Sequence, residues 1–148
     1  MIYLKAETTP TINIEYMNLG DRIEKTNTPT SWSWLMVFTN DFTKEVFTLI
    51  QILGVSALYT PGSNMLKLPI IAKITGIASG LKQELALTDL GYYSYGIYLQ
   101  DSLTNLDKDD EIVGELVNSG KALVYNSTNE VEYKEQKDGT PNNFIYVP

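Results

Sequence analysis

The densest run of oxygen-bearing side chains is Asn105-Leu106-Asp107-Lys108-Asp109-Asp110-Glu111. Hard cations accept flexible sets of carboxylate and carbonyl oxygens, so such a loop invites a calcium reading. An EF-hand loop needs Gly at its sixth position and an acid at its twelfth. Counted from Asp107 these places hold Ile112 and Asn118, and counted from Asn105 they hold Asp110 and Leu116. Both frames fail. A non-EF calcium site and a solvated turn remain, and the turn is the expectation.

Other chemistry is narrower still. The sequence has no His and no Cys. That excludes the usual Ser–His and Cys–His nucleophiles, His-ligated transition metals and Cys-ligated zinc or iron–sulfur sites. Glycoside hydrolysis needs two carboxylates facing each other across about 5–10 Å. Glu84, Asp89, Glu111 and Glu115 are available for that task, but no spacing selects a pair. None of the ten glycines forms a phosphate-cradling GxxxxGK or GxGxxG loop. Asn126-Ser127-Thr128 fits a glycosylation sequon and reads as a turn. We therefore expect a non-enzymatic protein with no catalytic residue, no metal and no cofactor.

The aromatic residues carry more information. Asp89-Leu90-Gly91-Tyr92-Tyr93-Ser94-Tyr95 has the layout of a tyrosine corner, in which a Tyr near a strand start returns its hydroxyl to upstream backbone. An ordinary buried Tyr is the plainer alternative. An immunoglobulin domain has its second core cysteine two residues later, where this chain has Tyr95. Tyr93, Tyr95, Ile97 and Trp34 are thus the expected core set. Trp32, Tyr92 and Tyr98 are the candidate interface aromatics, since outward aromatic platforms anchor protein interfaces or bind sugars.

These residues must be placed by strands. Ile2–Lys5 alternates, and TINIEY over 11–16 puts Ile12 and Ile14 on one face with Asn13 and Glu15 on the other. Period-2 alternation is the mark of a half-buried strand. Gly20–Thr30 reads as a loop. Trp32–Thr39 is apolar on both faces, with Trp32, Trp34, Met36 and Phe38 opposite Leu35 and Val37, so a central strand is expected. Asn40-Asp41 turns it into a hairpin with Glu45–Leu53. After the turn Pro61-Gly62 comes a strand over Met65–Thr75. Pro69 lacks a backbone donor, which predicts an edge strand or a bulge there. Leu81, Gln83, Leu85 and Leu87 share a face of the next strand. Gly91–Gln100 follows, with Tyr93, Tyr95, Ile97 and Leu99 on one side and Tyr92, Ser94, Gly96 and Tyr98 on the other. Val113–Tyr125 is a long strand or a bent pair. Val131–Tyr133 and Phe144–Val147 are further pairing segments. The whole predicts one all-β domain over residues 1–148, an immunoglobulin-like sandwich of about 7–9 antiparallel strands, with a partly closed Greek-key barrel as alternative.

Eleven basic residues against eighteen acidic ones give a formal net charge of −7. Nucleic-acid binding draws on Lys and Arg neutralising phosphates, so neither nucleic acid nor an anionic membrane is an expected partner. No apolar run approaches the roughly 20 residues of a membrane-crossing helix. Met1–Thr9 lacks the basic-then-apolar pattern of a secretory signal, so synthesis in a cytoplasm is expected.

The order WSWLMVFTND, TKEVFTLI, a leucine-rich strand, LGYYSYGIYLQ, NLDKDDE, VGELVNSGKALVYN and NNFIYV resembles small virion proteins of tailed bacteriophages, above all crAss-like and related phages of Bacteroidetes. The resemblance covers about three-quarters of the chain. Members usually have Val-Glu, a small residue and Gly before the last long strand, where this chain reads Val113-Gly114-Glu115-Leu116. The resemblance implies a β-sandwich component of the particle, with Tyr93, Tyr95 and Ile97 in strand roles. It implies an auxiliary, or decoration, protein on the outer shell that binds the major capsid protein. A neck, collar or tail component is the near alternative, and a carbohydrate-binding adhesion module the more distant one. The implied partners are the major capsid protein or other virion proteins, or a second copy in a homo-oligomer. The implied location is the virion.

Overall fold

The computed structural model describes residues 1–18, 31–59 and 65–129. The expected segments Gly20–Thr30, Pro61-Gly62, Val131–Tyr133 and Phe144–Val147 lie outside them. The described chain is an all-β sandwich of nine strands: β1 (Ile2–Lys5), β2 (Thr11–Met17), β3 (Ser33–Asn40), β4 (Val46–Gln51), β5 (Leu58–Tyr59), β6 (Leu66–Lys73), β7 (Glu84–Ala86), β8 (Gly91–Gln100) and β9 (Val113–Tyr125). The large sheet runs β1-β9-β8-β3-β4, and the small sheet runs β2-β6-β5 with β7 also on β6. Pairing is antiparallel apart from β1 with β9 and β6 with β7, which are parallel. Strand β5 is too short to leave a sequence signal.

The core lies between the sheets. Trp34, Met36, Phe38, Tyr93 and Ile97 of the large sheet meet Leu66, Leu68, Ile70 and Leu85 of the small one. Strand β3 is central, as both apolar faces require. Its second face, Leu35 and Val37, is buried with Ile50 under Tyr98, Leu106 and Val113. The acidic loop after β8 therefore folds back over the outside of the large sheet, with Leu106 as its anchor.

Two expectations are corrected, on Pro69 and on Leu81 with Gln83, and the orientation that alternation left open in β2 is decided. In β2 the apolar residues face outward: Ile12 is 65% and Ile14 45% exposed, while Asn13 and Glu15 turn inward. The reason is the seam between the sheets. The Asn13 carboxamide accepts from Lys5 N at 2.7 Å and donates to Lys5 O at 3.0 Å. Glu15 accepts the Tyr3 backbone N–H. Strand β1 is the edge of its sheet, and these two side chains satisfy backbone groups that an edge leaves unpaired.

Pro69 lies in β6, a central strand paired without a break to β2. The missing donor costs nothing there. Ile71 donates its N–H to Gln83 O on the side away from β2, so Pro69, two residues earlier, points the same way. Among the described residues no strand pairs there, because β5 reaches only residues 66 and 67 and β7 begins at 71. The Pro69 carbonyl accepts from Gln51 Nε2 at 2.7 Å. This bond and Gln83 Nε2 to Ile50 O at 3.2 Å close the second seam, beside β4.

Leu81 and Gln83 do not extend β7. Gly80–Lys82 forms a 3-10 turn, Leu81 is exposed, and Gln83 takes a left-handed φ of 59°. Gly80 is required at this point: a Cβ would sit 2.4 Å from the Thr48 carbonyl oxygen. The turn thus packs on the free edge of β4.

Candidate functional site

One end of the sandwich gathers exposed aromatics on a stiff support. The β3–β4 connection is locked by Asn40, whose Oδ1 accepts from Phe42 N at 2.8 Å and Thr43 N at 2.9 Å. Lys44 N donates to Asn40 O, and Asn40 N donates to Glu45 O. Asn is a favoured residue for this task because its short amide mimics a turn of backbone. The result holds Phe42 at the tip, 93% exposed. Asp41 N donates to Tyr92 O at 3.0 Å, which ties the tip to the start of β8.

Beside the tip is the Asp89–Tyr93 turn. The Tyr93 hydroxyl donates to the Asp89 carbonyl at 2.7 Å, the return bond of a tyrosine corner. Burial pushes the Tyr93 phenol above its ordinary pKa. Between tip and turn lies a depression of about 630 Å³, lined by Asn40, Phe42, Thr43, Leu90 and Tyr92 among others. Tyr92 continues the apolar surface onto the large sheet. It faces Leu123, which faces Tyr3, so one row runs across β8, β9 and β1. Tyr92 and Tyr3 are 58% and 57% exposed. Below them, Asp41 accepts from Lys121 Nζ at 2.7 Å and from Ser94 Oγ at 2.6 Å. These bonds hold its carboxyl below the usual range.

The expected site residues are dispersed. Trp34, Tyr93 and Ile97 are buried, and Tyr95 is half-buried with its ring 6.2 Å from that of Phe38. Of the three candidate interface aromatics, only Tyr92 belongs to the exposed end. Tyr98 is half-buried over Leu35 and Val37, and Trp32 is half-buried one residue before β3. Sequence reasoning missed Phe42 and Tyr3. A large apolar residue inside an Asn-Asp turn was the available signal for Phe42.

The acidic loop spends its oxygens on itself. Asn105 Oδ1 accepts from Asp107 N, Asp107 Oδ1 from Asp109 N, and Asp110 Oδ1 from Ile112 N, each at 3.0 Å. Among the described residues no group of three or more His, Cys, Asp or Glu converges. Of the acids considered for hydrolysis, Glu84 accepts from Ser79 N, and Asp89 lies 3.3 Å from the Thr88 hydroxyl, which donates to the closer Glu45 carboxylate. Among the described residues no helix is long and apolar enough to cross a membrane. No protein-family model, no curated protein and no solved structure matches the chain.

Proposed function

We propose that this protein is a non-catalytic structural component of a bacteriophage particle, an auxiliary protein that binds the major capsid protein on the outer shell. The observation that carries the docking role is the aromatic end, where Phe42 stands 93% exposed beside Tyr92, from which an exposed row continues through Leu123 to Tyr3. Large aromatic side chains on a stiff support are the usual energetic anchors of protein interfaces, because they bury much area and lose little freedom. The phage context comes from the sequence resemblance. A net charge of −7 favours a position away from the genome.

The test is composition and cryo-electron microscopy of purified particles. Hundreds of copies on the shell are the expected result, and a dozen or fewer would move the protein to the neck or tail. Absence from particles would overturn the proposal. Phe42→Ala with Tyr92→Ala should weaken particle binding by roughly a hundredfold, on the scale of about 2–4 kcal/mol for lost anchors. The isolated domain should keep its melting temperature, since both side chains are exposed. A glycan-binding role has less support: Trp34 is in the core at 1% exposure and Trp32 is half-buried.

A further inference from the structure

Among the described residues, nothing packs on the apolar outer face of the small sheet to account for it. The seam demands polar residues on the inward side of β2, but it places no demand on the outward side. That side nonetheless carries Ile12, Ile14 and Tyr16, which are 65%, 45% and 54% exposed. In register beside them on β6 lie Ile71, Pro69 and Lys67, and Leu58 follows on β5 at 47% exposure. The charged outward positions of β2 and β6 are Lys67 and Lys73; the single acid of these strands, Glu15, points inward. Two acids border the face and each is engaged within the copy: Glu84, in register with Ile71, accepts from Ser79 N–H, and Glu7, bridged to Lys73, accepts from Ser127 and pairs with Lys5, while Lys73 Nζ also donates to Ile77 O. A chain with eighteen acids and eleven bases therefore keeps a lysine-bearing apolar face.

The opposite outer face has the complementary character. Leu106 pins the segment 101–112 over Leu35, Val37 and Ile50 on the outside of the large sheet. The segment carries Asp101, Asp107, Asp109, Asp110 and Glu111 against Lys108 alone. Leu103 and Ile112 are exposed within it, at 38% and 42%. The two surfaces lie on opposite sides of one sandwich and cannot meet within a copy.

We infer that the outer face of the small sheet is the docking surface for the acid-fringed segment Asp101–Ile112 of a second copy. Ile12, Ile14 and Leu58 cover Leu103 and Ile112 of the neighbour, and Lys67 and Lys73 meet its carboxylates. The contact is head-to-tail, so it closes into a ring or grows into a chain, and a two-fold dimer does not satisfy it. It leaves the aromatic end open for a different partner.

The experiment is sedimentation velocity on the whole chain over a concentration series reaching about 1 mM, where even weak contacts register. Concentration-dependent growth beyond a dimer is expected, and it should weaken in about 1 M salt, where the screening length falls to about 3 Å. Lys67→Glu with Lys73→Glu should weaken association by roughly a hundredfold, as should Asp109→Lys with Asp110→Lys, because each sets like charges against each other. Mixing the two variants should restore association, which also shows that both are folded. A monomer throughout the series would overturn the inference. So would association unaffected by either variant, or two variants that stay apart when mixed.

Discussion

The Tyr93 hydroxyl holds the Asp89 carbonyl at 2.7 Å while its ring packs 6.2 Å from that of Phe47. Tyr93→Phe keeps the ring and removes the bond. Urea denaturation should show a loss of about 1–3 kcal/mol with an unchanged slope, because an acceptor is left unpaired while the compactness of the native state is kept. This residue was legible in the sequence because its device is local: turn and Tyr lie four residues apart. Phe42 has no period to reveal it, and its one signal is a large apolar residue inside an Asn-Asp turn. The Asn40 carboxamide orients Phe42 from only two residues away, and what the sequence does not show is that Tyr92 stands beside it.

At the scale of elements, alternation located β1, β2, β6 and β8, the doubly apolar run located β3, and the Asn40-Asp41 turn located β4, but alternation did not say which side of β2 faces in. Hydrophobicity alone turns Ile12 and Ile14 to the core. The edge of β1 outweighs it, because unpaired backbone groups at a seam cost more than exposed isoleucines. Asn13→Val should therefore destabilise the domain by about 2 kcal/mol, although it adds an apolar inward side chain. Hydrogen exchange at the Lys5 amide should accelerate first, since Asn13 Oδ1 is its acceptor. Pro69 gives the same lesson. A proline needs an open side only at its own residue, and Pro69 finds one in the gap between β5 and β7 although β6 as a strand is central.

At the scale of the molecule, three carboxyls, those of Glu15, Glu7 and Asp41, make stability depend on pH. Burial raises the pKa of Glu15 above 4.5 despite the Tyr3 N–H that it accepts. A raised carboxyl favours the native state when protonated. Its contribution is full below the unfolded value of 4.5 and is lost as pH rises through the folded one. Glu15→Gln should thus raise the melting temperature at pH 7, and the gain should vanish below pH about 4. Glu7 and Asp41 act in the other direction. Hydrogen bonds from Ser127 hold Glu7 down, and those from Lys121 and Ser94 hold Asp41 down, so their contributions are present at neutral pH and fade in acid. In thermal melts from pH 7 to pH 3, the Glu15→Gln variant should lose more stability than the parent, because it lacks the one group among the three that favours folding in acid.

The sequence by itself determined that this chain is all-β, that β3 is buried on both faces, and that His and Cys chemistry is absent. Those properties follow from residue type and a two-residue period, which act along the chain. Only the tertiary structure decided which face of β2 is solvent-exposed, why Pro69 fits a central strand, and that Phe42, Tyr92 and Tyr3 share one end. Each of these depends on groups far apart in sequence: the first two follow from buried backbone groups that must find partners at the seams between the sheets, and the third from the strand order of the large sheet, which sets β3, β8, β9 and β1 side by side.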